Sequence, residues 1–158
     1  MALVELTLVG VRVELPANQP IVLLKERDGE RFLPIWIGAF EATAIAFALQ
    51  GIETARPMTH DLMKNIMDQL GISMKQVVIS DLKEGTFFAD ITLSYEGKPF
   101  KIDARPSDAI ALAVRAGVPI FSDENVLSEA SVFMQSDEEE EIERFRDFLK
   151  DVRPEDFK

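Results

Sequence analysis

The chain has 158 residues, a formal net charge of −11 and no cysteine. Hydrophobic residues make up 47% of it, which is typical of a globular protein, and the length suffices for one domain with a buried core. The absence of cysteine excludes disulfides, thiolate metal sites and cysteine nucleophiles. The acidity excludes bulk attraction to phosphate backbones, so a role with nucleic acid requires a local basic patch or a bridging cation. Without a signal-peptide pattern or an apolar run of roughly 18 residues, we expect a cytoplasmic protein that does not enter a membrane.

The first third of the chain predicts strands followed by one buried helix. Residues 4–15 are rich in Val, Leu and Thr and predict a strand that bends near Gly10. Residues 21–26 and 30–37 predict a hairpin around Asp28-Gly29, a dipeptide that suits the positive φ angles of a tight turn. Residues 39–50 are apolar on nearly every side, which predicts a helix buried on most of its surface.

The rest of the domain begins with an amphipathic helix at residues 59–70, for which Thr59 is the candidate cap. We expect its apolar stripe to cover another surface, which the sequence does not identify; the stripe contains Leu62, Ile66, Met67 and Leu70. Further strands are predicted at residues 77–82, 86–95, 99–104 and 118–121, and a second buried helix at residues 107–116 with Ser107 as its candidate cap.

Residues 100–117 are a diverged copy of residues 32–51. The turn Glu96-Gly97 precedes the second copy at the same distance as Asp28-Gly29 precedes the first. The internal repeat therefore covers a hairpin and a helix. It predicts an α+β fold with internally duplicated β-hairpin/helix units, in which a mixed or antiparallel sheet packs with buried helices that contact each other.

Residues 135–158 differ in composition from residues 1–134, which we take as the domain. They open with a run of acids and continue with apolar residues at helical spacing, which predicts an acidic linker and a C-terminal amphipathic helix. Because a helix this short is marginal in water alone, its apolar stripe should pack on the body or on a second subunit.

A two-residue turn at Glu96-Gly97 places Asp90 opposite Asp103 across the second hairpin. Like charges directly across a sheet cost about 0.2 to 1 kcal/mol, so the pair favours a divalent cation such as Mg²⁺ or Mn²⁺, a shared proton or a basic neighbour. In the alternative interpretation, Lys101 or Arg105 on the same face neutralises both carboxylates on a solvated surface.

The sequence Arg105-Pro106-Ser107-Asp108 lies at a strand-to-helix junction. Free amide groups and the helix dipole favour an anion at such a position, and Arg105 would bind a phosphate there. The structural alternative is that Ser107 caps the helix, Asp108 is a first-turn acid and Pro106 sets the direction of entry.

His60-Asp61 contains the only histidine of the chain and begins the middle helix. A helix N-terminus favours the neutral imidazole that a general base or a metal ligand needs, whereas a surface or capping role is the alternative. Glu41 is the one acid in the apolar stretch of residues 33–49, so it needs a partner such as Arg56 or Arg105.

Four segments in this order resemble the bifunctional nuclease domain family, over roughly residues 4–131: Leu-Pro-Ile-Trp-Ile-Gly at 33–38, Arg-Pro-Met-Thr-His-Asp at 56–61, Glu-Gly-Thr-Phe-Phe-Ala at 84–89, and Ser-Asp-Ala at 107–109. The resemblance implies an α+β domain and, from the plant members, nuclease activity on DNA and RNA together with regulatory roles. The family motifs supply Glu41, His60, Asp61, Arg105, Ser107 and Asp108, whereas Asp90 and Asp103 come from the register of the hairpin.

The resemblance therefore predicts phosphodiester hydrolysis with His60, Asp61 and Asp108 as catalytic candidates. Arg56, Arg105 and Ser107 are the candidates for substrate binding, and Asp90 and Asp103 for a divalent cation. The rival interpretation is a non-enzymatic regulatory or binding module that forms an oligomer, most simply a homodimer, with Trp36 in the core or at an interface. A basic groove at Arg56, Arg105 and Arg115 favours the nuclease, and a closed apolar junction favours the module.

Overall fold

A computed structural model describes residues 2–14 and 18–133 of the protein. In that part of the chain the elements are, in order, β1 (Leu3–Glu14), β2 (Gln19–Glu26), β3 (Phe32–Trp36), α1 (Ala39–Gln50), α2 (Thr59–Leu70), β4 (Ser73–Lys83), β5 (Thr86–Tyr95), β6 (Lys98–Ala104), α3 (Pro106–Ala116), β7 (Ile120–Asp123) and α4 (Glu124–Ala130). The predicted acidic linker and C-terminal helix lie outside the described residues. Among the helices described, none is long and apolar enough to cross a membrane.

The duplicated units predicted from the sequence are present, and the α+β fold is confirmed. The sheet has the strand order β3-β2-β1-β7-β4-β5-β6, so that β1-β2-β3-α1 and β4-β5-β6-α3 occupy equivalent places on either side of β7. Neighbouring strands are antiparallel except for β4 and β7, which makes the sheet mixed. The two equivalent helices α1 and α3 pack against each other, as predicted.

The main core lies between α1, α3 and one face of the sheet. Side chains alternate along each strand, so the row of Ile79 and Ala89 faces the helices while the row of Val78 and Asp90 faces the other way. Ile110 of α3 is fully buried in this core. Burial of an aliphatic side chain of this size contributes roughly 1.5 to 3 kcal/mol, so apolar packing on this face is what holds the two units together.

The two hairpin turns differ, and only one matches its prediction. Glu96 and Gly97 adopt φ angles of 52° and 77°, and Tyr95 pairs with Lys98, so the tight turn and its register are confirmed. The predicted positive φ angles at Asp28 and Gly29 are wrong. The first loop spans residues 27–31 and is closed by side-chain contacts, because the Glu26 carboxylate accepts hydrogen bonds from the Arg31 backbone N–H at 3.0 Å and from its guanidinium.

The predicted caps of α2 and α3 are both displaced by one or two residues. At α2 the Asp61 carboxylate accepts a hydrogen bond of 3.0 Å from the N–H of Met58, which is the capping residue in place of Thr59. At α3 the cap is Arg105 and the helix begins at Pro106, because the fixed φ of proline suits the first helical position. Ser107 is therefore inside the first turn and is free of a capping role.

The apolar stripe of α2 covers little of the body of the protein in the described structure. Leu62, Met63, Ile66 and Leu70 are 40 to 59% exposed, and only Met67 packs partly on the core. The reason is that α2 packs mainly on α3. His60, in its first turn, is the buried residue of this helix.

The short helix α4 was not predicted from the sequence. It begins after Asp123, whose carboxylate accepts a hydrogen bond of 2.8 Å from the N–H of Asn125. Val126 and Leu127 bury its apolar side in the core.

Candidate active site

Four of the residues singled out from the sequence form one connected cluster between α1, α2 and α3. His60 Nε2 lies 2.8 Å from Asp108 Oδ1. Arg105 donates to the same carboxylate from Nε at 2.9 Å and from a terminal nitrogen at 3.2 Å, and its other terminal nitrogen donates to Glu41 Oε1 at 3.1 Å. Of the two partners expected for Glu41, the structure selects Arg105.

Asp61 joins the same region through a second ion pair. Its Oδ1 atom accepts a hydrogen bond of 2.7 Å from Nε of Arg115, near the C-terminal end of α3. Arg115 also donates to the carbonyl of Ala111 at 2.9 Å, and its side chain is only 10% exposed. His60 and Asp61 thus join the first turn of α2 to the two ends of α3. Arg115 appeared in the sequence only as one wall of a basic groove, and its pairing with Asp61 had no signal in the sequence.

The two aspartates of this site are ionised at neutral pH. Burial raises the pKa of Asp108, but the hydrogen bonds from Arg105 and His60 lower it by more, so that it lies below its ordinary value. Burial likewise raises the pKa of Asp61, and the hydrogen bonds from Arg115 and the Met58 N–H bring it below its ordinary value. An ionised carboxylate is only an acceptor, so Nε2 of His60 carries the proton of their hydrogen bond.

This arrangement suits acid–base chemistry at the second nitrogen of His60. Because Nε2 carries the proton, neutral His60 has a lone pair on Nδ1, for which the described residues supply no hydrogen-bond partner. A carboxylate in the position of Asp108 orients an imidazole and stabilises its protonated form. Access is narrow, however, because the His60 side chain is only 10% exposed.

The predicted basic groove is not an open one. Arg105 is 64% exposed, but Arg115 is buried against Asp61 and both guanidinium groups are paired with carboxylates. Arg56 is exposed, and in the described structure only its backbone carbonyl is bonded, by Thr54. The junction is therefore neither a basic groove nor a closed apolar contact but a polar, charge-compensated cluster.

Asp90 and Asp103 lie elsewhere. They pair directly opposite each other, as the hairpin register predicted. They are on the face of the sheet opposite to Ala89, whereas Ala89 belongs to the core under α3. The structure therefore separates this pair from His60 and Asp108, and their role as metal ligands stays a prediction.

Neither the carboxylates of the His60 cluster nor the pair on the other face of the sheet forms a preformed cation site. Within residues 2–14 and 18–133 no group of three or more His, Asp or Glu side chains is placed to hold a metal ion. In the cluster, the carboxylates of Glu41, Asp61 and Asp108 are already bonded to guanidinium groups. A hard cation would have to displace these groups, since it takes the same oxygen atoms.

Ser107 and Trp36 line a cavity beside the cluster. Ser107, predicted to bind substrate, is buried in the first turn of α3. Trp36 was expected in the core or at an interface, and it is 54% exposed. Strand alternation was the signal that could have found this orientation, because Leu33 and Ile35 point into the core and Trp36 follows them with the opposite direction.

The fold and the cluster define a class of protein, a duplicated α+β domain with a His–Asp pair and an arginine at the junction of its helices. A model of the bifunctional nuclease domain matches residues 22–135. The chain belongs to the bifunctional nuclease domain family, which confirms the resemblance seen in the sequence.

Relatives of two kinds accompany this match. An uncharacterised protein of Mycobacterium tuberculosis is 49% identical over 163 residues, which cover 98% of both chains. Bifunctional nuclease 2 of rice (Oryza sativa subsp. japonica) is 32% identical over 115 residues, or 70% of this chain and 35% of that protein. Bifunctional nuclease 1 of Arabidopsis thaliana is 32% identical over 108 residues, or 66% of this chain and 33% of that protein. The chain thus spans about a third of the length of these plant relatives.

Proposed function

We propose that this protein is a nuclease that hydrolyses phosphodiester bonds of RNA and DNA. The observation that carries the proposal is the contact of His60 with Asp108 beside Arg105, inside the region that matches the bifunctional nuclease domain. The names of the plant relatives supply the reaction class.

The residues of the cluster have distinct roles in this reaction. Nδ1 of His60 takes a proton from water as the water oxygen bonds to phosphorus and the P–O ester bond breaks; the departing oxygen takes a proton from solvent. Asp108 holds the imidazole through Nε2 and stabilises its protonated form. A guanidinium has five N–H donors, of which Arg105 uses three on Asp108 and Glu41, so two remain for the non-bridging oxygens of the phosphate.

The proposal includes a divalent cation, and the dependence of cleavage on this cation is to be measured. Mg²⁺ usually keeps several waters and takes only one or two carboxylates, which leaves Asp90 and Asp103 as candidates. We assign no step to the cation, because this pair lies on the opposite face of the sheet from His60.

The test is a cleavage assay on end-labelled single-stranded RNA and DNA, with Mg²⁺, Mn²⁺ or EDTA. The proteins are the wild type, His60→Ala, Asp108→Asn and the control Asp68→Asn. Asp68 is a suitable control because it lies on α2, is exposed and its carboxylate bonds only Lys64 among the described residues. We expect Asp68→Asn to cleave like the wild type and the two cluster variants to lose at least about a hundredfold in rate, which is the usual contribution of a general base.

Circular dichroism must first show that each variant is folded. Equal residual cleavage in all preparations would mean a contaminating nuclease and would overturn the proposal, as would no cleavage in any buffer.

The alternative is a non-enzymatic module that forms oligomers, and one observation favours it. Four large apolar side chains of α2 are exposed. Exposed apolar patches of this kind commonly mark interaction sites. In that interpretation His60, Asp61, Arg115 and Asp108 serve to fasten α2 in place, and the homodimer is its simplest assembly.

A further inference from the structure

A cavity of about 360 Å³ opens where the two duplicated units meet. It is lined by the junction of β3 with α1, the junction of β6 with α3, and the turn between β4 and β5. We call it the junction cavity. β3 and β6 are the two edge strands of the sheet, so the sheet curves enough to bring their ends to one place.

Two aromatic side chains line the junction cavity. Trp36 is 54% exposed and Phe87 is half-buried. Gly38 and Gly85 also line the cavity and have no side chain to fill it. An exposed tryptophan beside an open cavity offers a flat apolar surface of the kind on which nucleic-acid bases stack.

Hydrogen-bond donors also line the junction cavity. Ser107 is only 5% exposed, and its hydroxyl makes no hydrogen bond within the described residues. Because Ser107 lines the cavity, this hydroxyl is available to a group that enters the cavity. Arg105 adds its two remaining N–H donors.

The start of α3, which lines the cavity at Pro106 and Ser107, adds further donors. The first hydrogen bond in this helix runs from the N–H of Ala109 to the carbonyl of Arg105 at 3.1 Å. The amides of Ser107 and Asp108 precede it and have no acceptor within the helix. Together with the helix dipole they favour an anion at this end of the cavity.

The charge around Arg105 selects the kind of anion. The carboxylates of Glu41 and Asp108 already offset the charge of the Arg105 guanidinium. They repel a doubly charged phosphate more strongly than a singly charged one. A terminal phosphate carries about −1.5 to −2 at neutral pH, whereas an internal phosphodiester carries a single charge. The cavity therefore suits an internal phosphodiester with a base on either side of it free to stack.

We propose that the junction cavity binds one nucleotide unit of single-stranded nucleic acid. The base stacks on Trp36 and Phe87, and the neighbouring phosphodiester accepts hydrogen bonds from Ser107, Arg105 and the first amides of α3. Paired bases are not accessible for such stacking, so a duplex is excluded. The proposal rests on the proposed function for the class of polymer, but it concerns binding and not cleavage.

The test uses the fluorescence of Trp36, which is the only tryptophan of the chain. A short oligothymidylate is titrated into the full-length protein in EDTA. We expect saturable quenching by the oligonucleotide, little response to the same sequence as a duplex, and weak competition by inorganic phosphate or thymidine alone. An oligonucleotide with uncharged methylphosphonate links should bind at least tenfold more weakly.

Variants are compared by the anisotropy of a labelled oligothymidylate. Trp36→Leu should weaken binding roughly 5- to 150-fold, as expected for the loss of one stacked base. The matched control is Phe40→Leu, which removes a 77% exposed aromatic ring that does not line the cavity. Ser107→Ala should weaken binding about tenfold while leaving the free energy of unfolding unchanged or raised, because its hydroxyl has no partner to lose.

The outcomes separate this proposal from the nuclease itself. Binding of the labelled oligothymidylate that the cavity variants weaken, without cleavage in any buffer, would support the cavity and overturn the nuclease. Cleavage that requires His60, with binding unaffected by Trp36→Leu and Ser107→Ala, would overturn the cavity and leave the nuclease standing. Binding by phosphate as tight as by the oligonucleotide would also overturn it, since the site would then hold a simple anion.

Discussion

His60 Nε2 lies 2.8 Å from Oδ1 of Asp108, and this contact joins the first turn of α2 to the first turn of α3. The adjacent Asp61 bonds Arg115 at 2.7 Å. Because the large apolar side chains of α2 are mostly exposed, these two polar contacts carry much of the attachment of this helix. The same cluster is the candidate active site, so the position of α2 and the chemistry of His60 depend on the same atoms.

We predict that loss of Asp108 loosens α2 before it loosens the sheet. Asp108→Asn weakens the hydrogen bonds to His60 and Arg105, and a hydrogen bond to a charged group contributes about 1.5 to 3 kcal/mol. Amide hydrogen exchange in α2 should therefore become at least about tenfold faster, with exchange in β4 and β5 unchanged. Exchange in α2 that stays at the wild-type rate would show that apolar contacts hold this helix.

We predict that acid destabilises the wild type more than the aspartate variants. The pKa values of Asp61 and Asp108 are lower in the folded protein than their ordinary values, so the folded state binds fewer protons than the unfolded chain. The resulting stability is complete above the unfolded pKa of about 3.9 and is lost as the pH falls through the folded pKa.

Urea unfolding between neutral pH and the acid limit measures this effect. Asp108→Asn should be less stable than the wild type at neutral pH, and the difference should narrow below about pH 4. A constant difference across that range would contradict the ionised Asp108 described here.

We predict that Asp90→Asn and Asp103→Asn each stabilise the metal-free protein. The two carboxylates face each other and neither has an ion-pair partner among the described residues, so removing one charge removes a repulsion of about 0.2 to 1 kcal/mol. The control is Asp28→Asn, which makes the same change of net charge in the exposed first loop.

The same proteins test the predicted cation. If Asp90 and Asp103 bind Mg²⁺, millimolar Mg²⁺ should raise the melting temperature of the wild type and of Asp28→Asn but not of the two variants. An equal response from all four proteins would contradict the predicted metal role.

We predict that the exposed stripe of α2 is an interface between two copies of the chain. Ile66→Glu places a charge in the middle of the stripe and should convert a dimer into a monomer in sedimentation velocity. Gln50→Glu adds the same charge at an exposed position on another helix, at the end of α1, and should leave the assembly unchanged. A wild type that sediments as a monomer at all concentrations would contradict this prediction.

The order of strands and helices and the pairing of Asp90 with Asp103 could be predicted from the sequence. Alternation with a period of two fixes which side chains share a face, and the tight turn at Glu96-Gly97 fixes the register of the hairpin. The first hairpin shows the limit of that reasoning, because its loop is closed by Glu26 and Arg31 and not by the dihedral preferences of Asp28-Gly29.

The candidate site was predictable as a set of residues but not as a geometry. The family motifs named Glu41, His60 and Asp108; in the structure Glu41 and Asp108 bond Arg105, and His60 bonds Asp108. The exposure of Trp36 was not foreseen, because an aromatic residue at the end of a strand is compatible with a core, an interface or a cavity.

The sequence by itself determined the duplicated units and their secondary structure, because periodicity, turns and helix ends are encoded in neighbouring residues. Only the tertiary structure decided the partners of His60 and Glu41, since these contacts join residues 48 and 64 positions apart. It also decided that α2 lies on α3 with its apolar stripe exposed. Local pattern shows that a helix has an apolar face, but the packing of the whole chain determines what that face meets.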